Sequence, residues 1–224
     1  MYKNNKKYIC FGGRSDGHFN AVKDLLEDDI DLEVLDNKLE IGSETLGHKI
    51  IGGINEEINV DDYDGFILGV GDNTFRKKCF LKGLEKNLKS ISLIHKSATI
   101  SKNATIGRGV YIGPGVIVGS NVEINDATIL NSGAIIEHDS KIGSYVHIAP
   151  GVKIAGRVKI EELAFIGIGS CIIPDISIGM NAVIGAGATV VNDVIASSKV
   201  IGIKAMNLEF VKDNIYKRIL ESNF

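Results

Sequence analysis

Every sixth residue from Ile94 to Val190 is aliphatic, with no insertion or deletion between them. Helices repeat every 3.6 residues and strands every two, so neither produces a period of six. Two places before each member sits a small or β-branched residue, such as Ala104, Val122, Ser140, Ala164 and Ala188. The next place is often glycine, as at Gly107, Gly119, Gly143 and Gly167. This is the hexapeptide pattern of a β-solenoid. Three hexapeptides close one triangular coil, so residues eighteen apart stack at the interstrand spacing of ~4.8 Å. The large aliphatic points inward, the small residue fits the corner, and the glycines are expected to supply turn conformations that a Cβ would hinder. An uninterrupted wall about five coils tall is expected, with the repeat ending after Val190.

The first ninety residues follow a different pattern. Tyr8 to Phe11 reads as a buried strand, and Gly12 to His18 as a glycine-rich turn. A short helix is expected over Phe19 to Glu27, and a second strand over Leu32 to Leu35 that ends at Asp36. Gly65 to Val70 reads as a third strand ending in Gly71-Asp72-Asn73, then a helix over Thr74 to Leu88 and a last strand over Ser90 to Ile94. Such alternation implies a small parallel sheet flanked by helices, with ligands collecting beyond the carboxyl ends of its strands. Gly-Gly-Arg-Ser-Asp-Gly does not fit the dinucleotide fingerprint, so NAD is not expected. The glycines serve equally well as a tight turn; Asp36, about twenty residues on, favours a ribose or base contact.

Five histidines occur, and two lie inside the solenoid. His138 sits in Ile136-Glu137-His138-Asp139, where the repeat needs only a bland turn, and His147 in Tyr145-Val146-His147-Ile148. A histidine beside a carboxylate suits a general base, because the carboxylate orients the ring and stabilises its protonated form. Nine residues is half a coil, so the two fall on roughly opposite sides of the prism and would meet only across a cleft between two chains. Two histidines do not make a zinc set, and no metal is expected. His95 reads as structural, and His48 lies in a segment that no pattern places. A net charge of −3 gives no reason to expect nucleic acid or an anionic membrane as partner. The three scattered cysteines read as reduced thiols, and no stretch is long enough to cross a membrane, so a cytoplasmic protein is expected.

The motifs Gly17-His18, Leu35-Asp36, Gly71-Asp72-Asn73 with Arg76, Leu93 to Ala98, Glu137-His138-Asp139 with His147, Ala155-Gly156 and Gly185 to Thr189 resemble a sugar acyltransferase family. It includes the sialic-acid O-acetyltransferases and the nucleotide 4-amino-sugar N-acetyltransferases, and the resemblance spans roughly residues 7 to 205. The nearest likeness is to the UDP-4-amino-sugar N-acetyltransferases of the bacillosamine pathway. The resemblance implies an amino-terminal Rossmann-like α/β domain over residues 1–92 that holds a nucleotide sugar. Beyond the family pattern an extra short amphipathic helix is expected over 206–224, with Leu208, Val211, Ile215 and Ile219 on one face, and the resemblance implies a left-handed parallel β-helix over 93–205. It also implies a homotrimer with acetyl-CoA lying between neighbours. By the same resemblance His138 is the base and Asp139 its acidic partner. His147, Gly156, Ile168 and Ala186 contact acetyl-CoA, while Asp16, Gly17, His18, Asp36, Asn37 and Gly71 hold the substrate. The turn at Gly13 to Gly17 is one residue longer than the family's, and Gly202-Ile203-Lys204-Ala205-Met206 lacks the family's closing proline. The expected reaction is N-acetylation of the sugar 4-amino group; the sequence leaves O-acetylation and a non-catalytic binding solenoid as alternatives.

Overall fold

The computed structural model describes residues 6–14, 17–26 and 30–202. Asp16, the expected helix beyond Leu208 and most of the Gly202 motif lie outside the described residues. The amino-terminal part is a five-stranded sheet in the order β3-β4-β2-β1-β5, built from β1 (Lys7–Phe11), β2 (Asp31–Leu35), β3 (Glu44–Thr45), β4 (His48–Gly52) and β5 (Gly65–Leu68). The pairs β1/β2, β1/β5 and β2/β4 are parallel, and only β3/β4 is antiparallel. Helices α1 (His18–Lys23) and α2 (Asn73–Glu85) follow β1 and β5.

Both helices stop short of their expected ends. The last expected strand shrinks to Leu93–Ile94, with Ser90 making a lone bridge to Phe66. The β3–β4 hairpin is new, and it places His48 at the start of β4. Its two-residue turn, Leu46-Gly47, has both φ angles positive (50° and 82°), as the tightest hairpins require.

From Leu93 onward the chain winds into three parallel faces of two-residue strands, with partners eighteen apart, as in Ile117↔Ile135 and His147↔Phe165. From Ile112 to Val190 every inward aliphatic is at most 3% exposed. Ile94, by contrast, is 47% exposed, because the first coil has nothing stacked beneath it among the described residues. Buried corner hydroxyls are used as well: Thr128 donates to Gly143 O at 2.8 Å and Ser140 to Ala155 O at 3.0 Å.

Two expectations about the repeat need correction. The glycines that follow the aliphatics are not there for unusual backbone angles. A Cβ on Gly119 would meet His138 N at 2.8 Å, and one on Gly143 would meet Glu162 N at 2.8 Å, so these glycines let the next coil approach. Positive φ falls two places later, as at Gly115, Gly133, Gly151, Gly169 and Gly187 along one edge. The solenoid also outlasts its register. Val194 bridges Ile178 and Val200 pairs with Ile184, each sixteen residues apart, so the last coil closes with two residues fewer.

The sheet docks on one edge of this prism. Phe80 of α2 packs edge-on against Tyr145 at 5.8 Å and against Phe66 at 6.0 Å. Ala127, Tyr145 and Leu163, stacked one per coil, share a single apolar cluster with Phe11, Phe66 and Phe80. Among the described residues no helix is long and apolar enough to cross a membrane.

Candidate active site

The carboxyl ends of β1, β2 and β5 enclose a cavity of about 600 Å³, bordered by Gly12, Gly17, His18, Asp36, Asn37 and Gly71. Five of the six expected substrate residues therefore converge here; the sixth, Asp16, lies outside the described residues. The glycine turn is both tight and part of the cavity wall. Gly12 has φ +87°, and a Cβ on Gly13 would strike Val34 Cγ1 at 2.4 Å. Asp36 braces this turn, since its Oδ2 accepts from Gly13 N at 2.9 Å and its Oδ1 from Lys38 N at 2.8 Å. Asn37 is similarly held, its Oδ1 accepting from Ile54 N at 2.9 Å, which leaves its amide N–H groups as the donors to offer a ligand. Thr45, from the unforeseen hairpin, donates to Gly13 O at 2.7 Å and fixes the turn from the other side.

Gly71 and Asp72 also border a second cavity of about 430 Å³, which reaches the solenoid at His147, Phe165 and Asn181. His147 stacks edge-on with Phe165, one coil along, at 5.2 Å, and its Nδ1 lies 3.3 Å from Gly71 O. Burial, aided by the nearby Arg76 charge, lowers the His147 pKa to about 4. His18 packs against Tyr111 at 4.6 Å, and its Nε2 is buried with no hydrogen-bond partner among the described residues. Burial first, then Arg76 and His147, lower its pKa to about 3. Both imidazoles are neutral at pH 7.

His138 is elsewhere. It stands on the edge of the prism between the face of Ile135 and the face of Lys141, and it borders neither cavity. Its Nδ1 lies 2.8 Å from Asp139 Oδ2, and both side chains are about half exposed. Asp139 takes φ 59°, and its Oδ1 accepts from Asn121 Nδ2 at 3.0 Å. That bond first, and the contact with His138 second, hold its carboxyl below the usual carboxylate range. With Nδ1–H donating to Asp139, the lone pair of Nε2 is free to take a proton.

Gly156, eighteen residues on, supports the ring: a Cβ there would lie 2.6 Å from His138 Cε1 and 2.7 Å from Nε2. Ile168 and Ala186 lie one above the other on the third edge, and Ile168 is 56% exposed. The four expected acetyl-CoA contacts therefore do not share one pocket of one chain. His147 faces the sheet, Gly156 sits under His138, and Ile168 and Ala186 lie across the intervening face. Asn73 and Arg76 carry contacts that sequence reasoning did not assign, described below. Among the described residues, no three His, Cys, Asp or Glu side chains come together to hold a metal.

Residues 91–126 match the family model described as bacterial transferase hexapeptide (six repeats). Compared with curated protein sequences, the chain matches none. Solved structures resemble it over nearly its whole length. The acetyltransferase domain of PglB from Neisseria gonorrhoeae is 27% identical with a TM-score of 0.80, over 88% of this chain and 97% of that one. The same domain has been solved with acetyl coenzyme A. PerB from Caulobacter crescentus, solved with CoA and GDP-perosamine, is 28% identical with a TM-score of 0.79, over 89% of this chain and 96% of that one. WeeI from Acinetobacter baumannii, 24% identical with a TM-score of 0.78 over 88% of this chain and 97% of that one, shares the fold. The repeat over residues 91–126 thus matches a transferase family model, and the fold as a whole is shared with acetyltransferases solved with acetyl-CoA or CoA bound.

Proposed function

We propose that the chain transfers the acetyl group of acetyl-CoA to the 4-amino group of a nucleotide-linked amino-dideoxy sugar, with the UDP form the first to test. The nucleotide occupies the cavity around Asp36 and Asn37, and the sugar extends past Gly71. The observation that carries this reading is the His138–Asp139 pair at 2.8 Å, its ring held over Gly156. That is the arrangement a general base requires. In the reaction the amine nitrogen attacks the thioester carbonyl carbon, and His138 Nε2 takes the proton that nitrogen loses. The tetrahedral intermediate then expels the CoA thiolate as the C–S bond breaks, and the thiolate takes the proton held by His138 and leaves as the thiol. A backbone amide such as that of Gly156 stabilises the oxyanion.

His138 borders neither cavity of its own chain, which supports a homotrimer in which each cavity delivers its sugar to a neighbour's His138. The left-handed winding and the Rossmann-like character of the sheet belong to the same reading and rest on the family resemblance; the domain division at 92/93 rests on the change of sequence pattern there, and a cytoplasmic setting on the three scattered cysteines. The experiment is a CoA-release assay over UDP-, dTDP- and GDP-linked 4-amino sugars. Turnover with one of them and acetyl recovered on nitrogen support the reading; CoA release with none of them overturns it.

A further inference from the structure

The first turn of α2 is tied by its side chains to three successive coils. Arg76 is 1% exposed, and its guanidinium spans two of them. Nε donates to Ala127 O at 2.7 Å, and Nη2 to Tyr145 O at 2.9 Å and Val146 O at 3.2 Å, one coil along. Asn73 takes the third coil, its Nδ2 donating to Leu163 O at 2.9 Å and Ala164 O at 3.0 Å. Its own Oδ1 accepts from Arg76 Nη2 at 2.8 Å, so the two residues act together. Lys77 pairs with Glu162 beside them.

The same guanidinium reaches back towards the substrate side. Nη1 donates to Gly71 O at 2.7 Å, and Gly71 borders both cavities. Burial lowers the Arg76 pKa to about 9, which leaves it charged at neutral pH. Taking such a charge out of water costs several kcal/mol, and apolar residues could join the two parts more cheaply. What the arginine adds is direction, because a rigid planar fork satisfies its donors in only one register.

We propose that Arg76, together with Asn73, is a positioning residue: it sets the lip of the nucleotide-sugar cavity at one fixed height against the coils, and so fixes where the acceptor amine stands in the transfer. This rests on the reaction proposed above. The test uses the full chain carrying Arg76→Lys, which keeps the charge and loses the fork, and Asn73→Ala, which removes the third-coil bonds and leaves no buried charge unpaired.

Transfer is followed together with separate titrations of CoA and of whichever of UDP, dTDP and GDP the wild type binds. Distances are measured by electron spin resonance between labels on the exposed Cys171 and on Lys49→Cys; Cys10 and Cys79 are buried and escape labelling. Misplacing reactants by about 1 Å costs up to about 100-fold, so kcat should fall roughly 10- to 100-fold in Arg76→Lys and less in Asn73→Ala. Both dissociation constants should stay within about threefold of wild type, as expected when each ligand's own contacts are intact. The distance distribution should broaden.

Unchanged kcat with an unchanged distribution in the folded variants overturns the proposal. So does a parallel loss of kcat, both affinities and melting temperature, which a purely structural residue would give. If the wild type acetylates none of the sugars, the reaction reading fails, while the label distances still judge the clamp.

Discussion

His138 and Gly156 form a unit in which the smaller residue makes the larger one usable. His138→Ala should lower kcat by about 10²–10⁴ while leaving the fold intact, which rate measurements and a melting curve will check. Gly156→Ala should lower kcat as well with His138 still present, because its Cβ would sit 2.6 Å from the ring and turn it off Asp139. Full activity in that variant would refute the packing argument. The buried histidines make stability depend on pH. Their folded pKa values, about 4 for His147 and about 3 for His18, lie below the unfolded value, so the unfolded chain binds more protons between pH 6.5 and those values. Stability is therefore complete above about pH 6.5 and falls on acidification, by about 1–2 kcal/mol from each histidine at pH 5. Urea midpoints at pH 7.5 and pH 5 will show whether the loss is present; His147→Phe should shrink it.

At the scale of elements, the solenoid was legible because its period is its structure. Spacing alone places Ile148 inward, and the residue is fully buried. Ile148→Ala should cost about 2–5 kcal/mol, measurable by urea unfolding, since neighbouring coils fix the walls of the hole. Less legible features had weaker local signals. The β3–β4 hairpin rests on a two-residue strand and a turn at Leu46-Gly47, too short for any periodic pattern. The glycines after each aliphatic were visible, but their purpose was not, because the obstacle is the backbone eighteen residues away. Arg76 stands out in the sequence only as part of the motif it shares with Gly71-Asp72-Asn73, and its role does not show there. Its acceptors at Ala127 and Tyr145 are 51 and 69 residues distant, and carbonyls leave no trace in composition. Besides that motif, an arginine three residues before Cys79 and four before Phe80, both buried, was a hint that this face turns inward.

For the whole molecule, the separation of His138 from the cavities makes the assembly testable by mixing. Gly71 has room for a Cβ, its nearest neighbour being His18 Cβ at 3.5 Å, so Gly71→Phe should fold and fill the cavity mouth. In the proposed homotrimer, assemblies re-formed from equal parts of Gly71→Phe and His138→Ala should recover activity at about a quarter of their sites, although each variant alone is inactive. No recovery would place the reaction within one chain. Height along such a prism comes in whole steps of ~4.8 Å, one per eighteen residues. The contacts of Arg76 and Asn73 occupy three consecutive steps, so the solenoid behaves as a ruler against which the sheet is pegged. A duplicated coil inserted beyond Ile184 should lengthen the ruler above the pegs and leave them seated. The same eighteen residues inserted directly after Val146 would carry Glu162 and Leu163 a full step away from Lys77 and Asn73, and the inserted coil's own main chain would have to supply the third peg's acceptors.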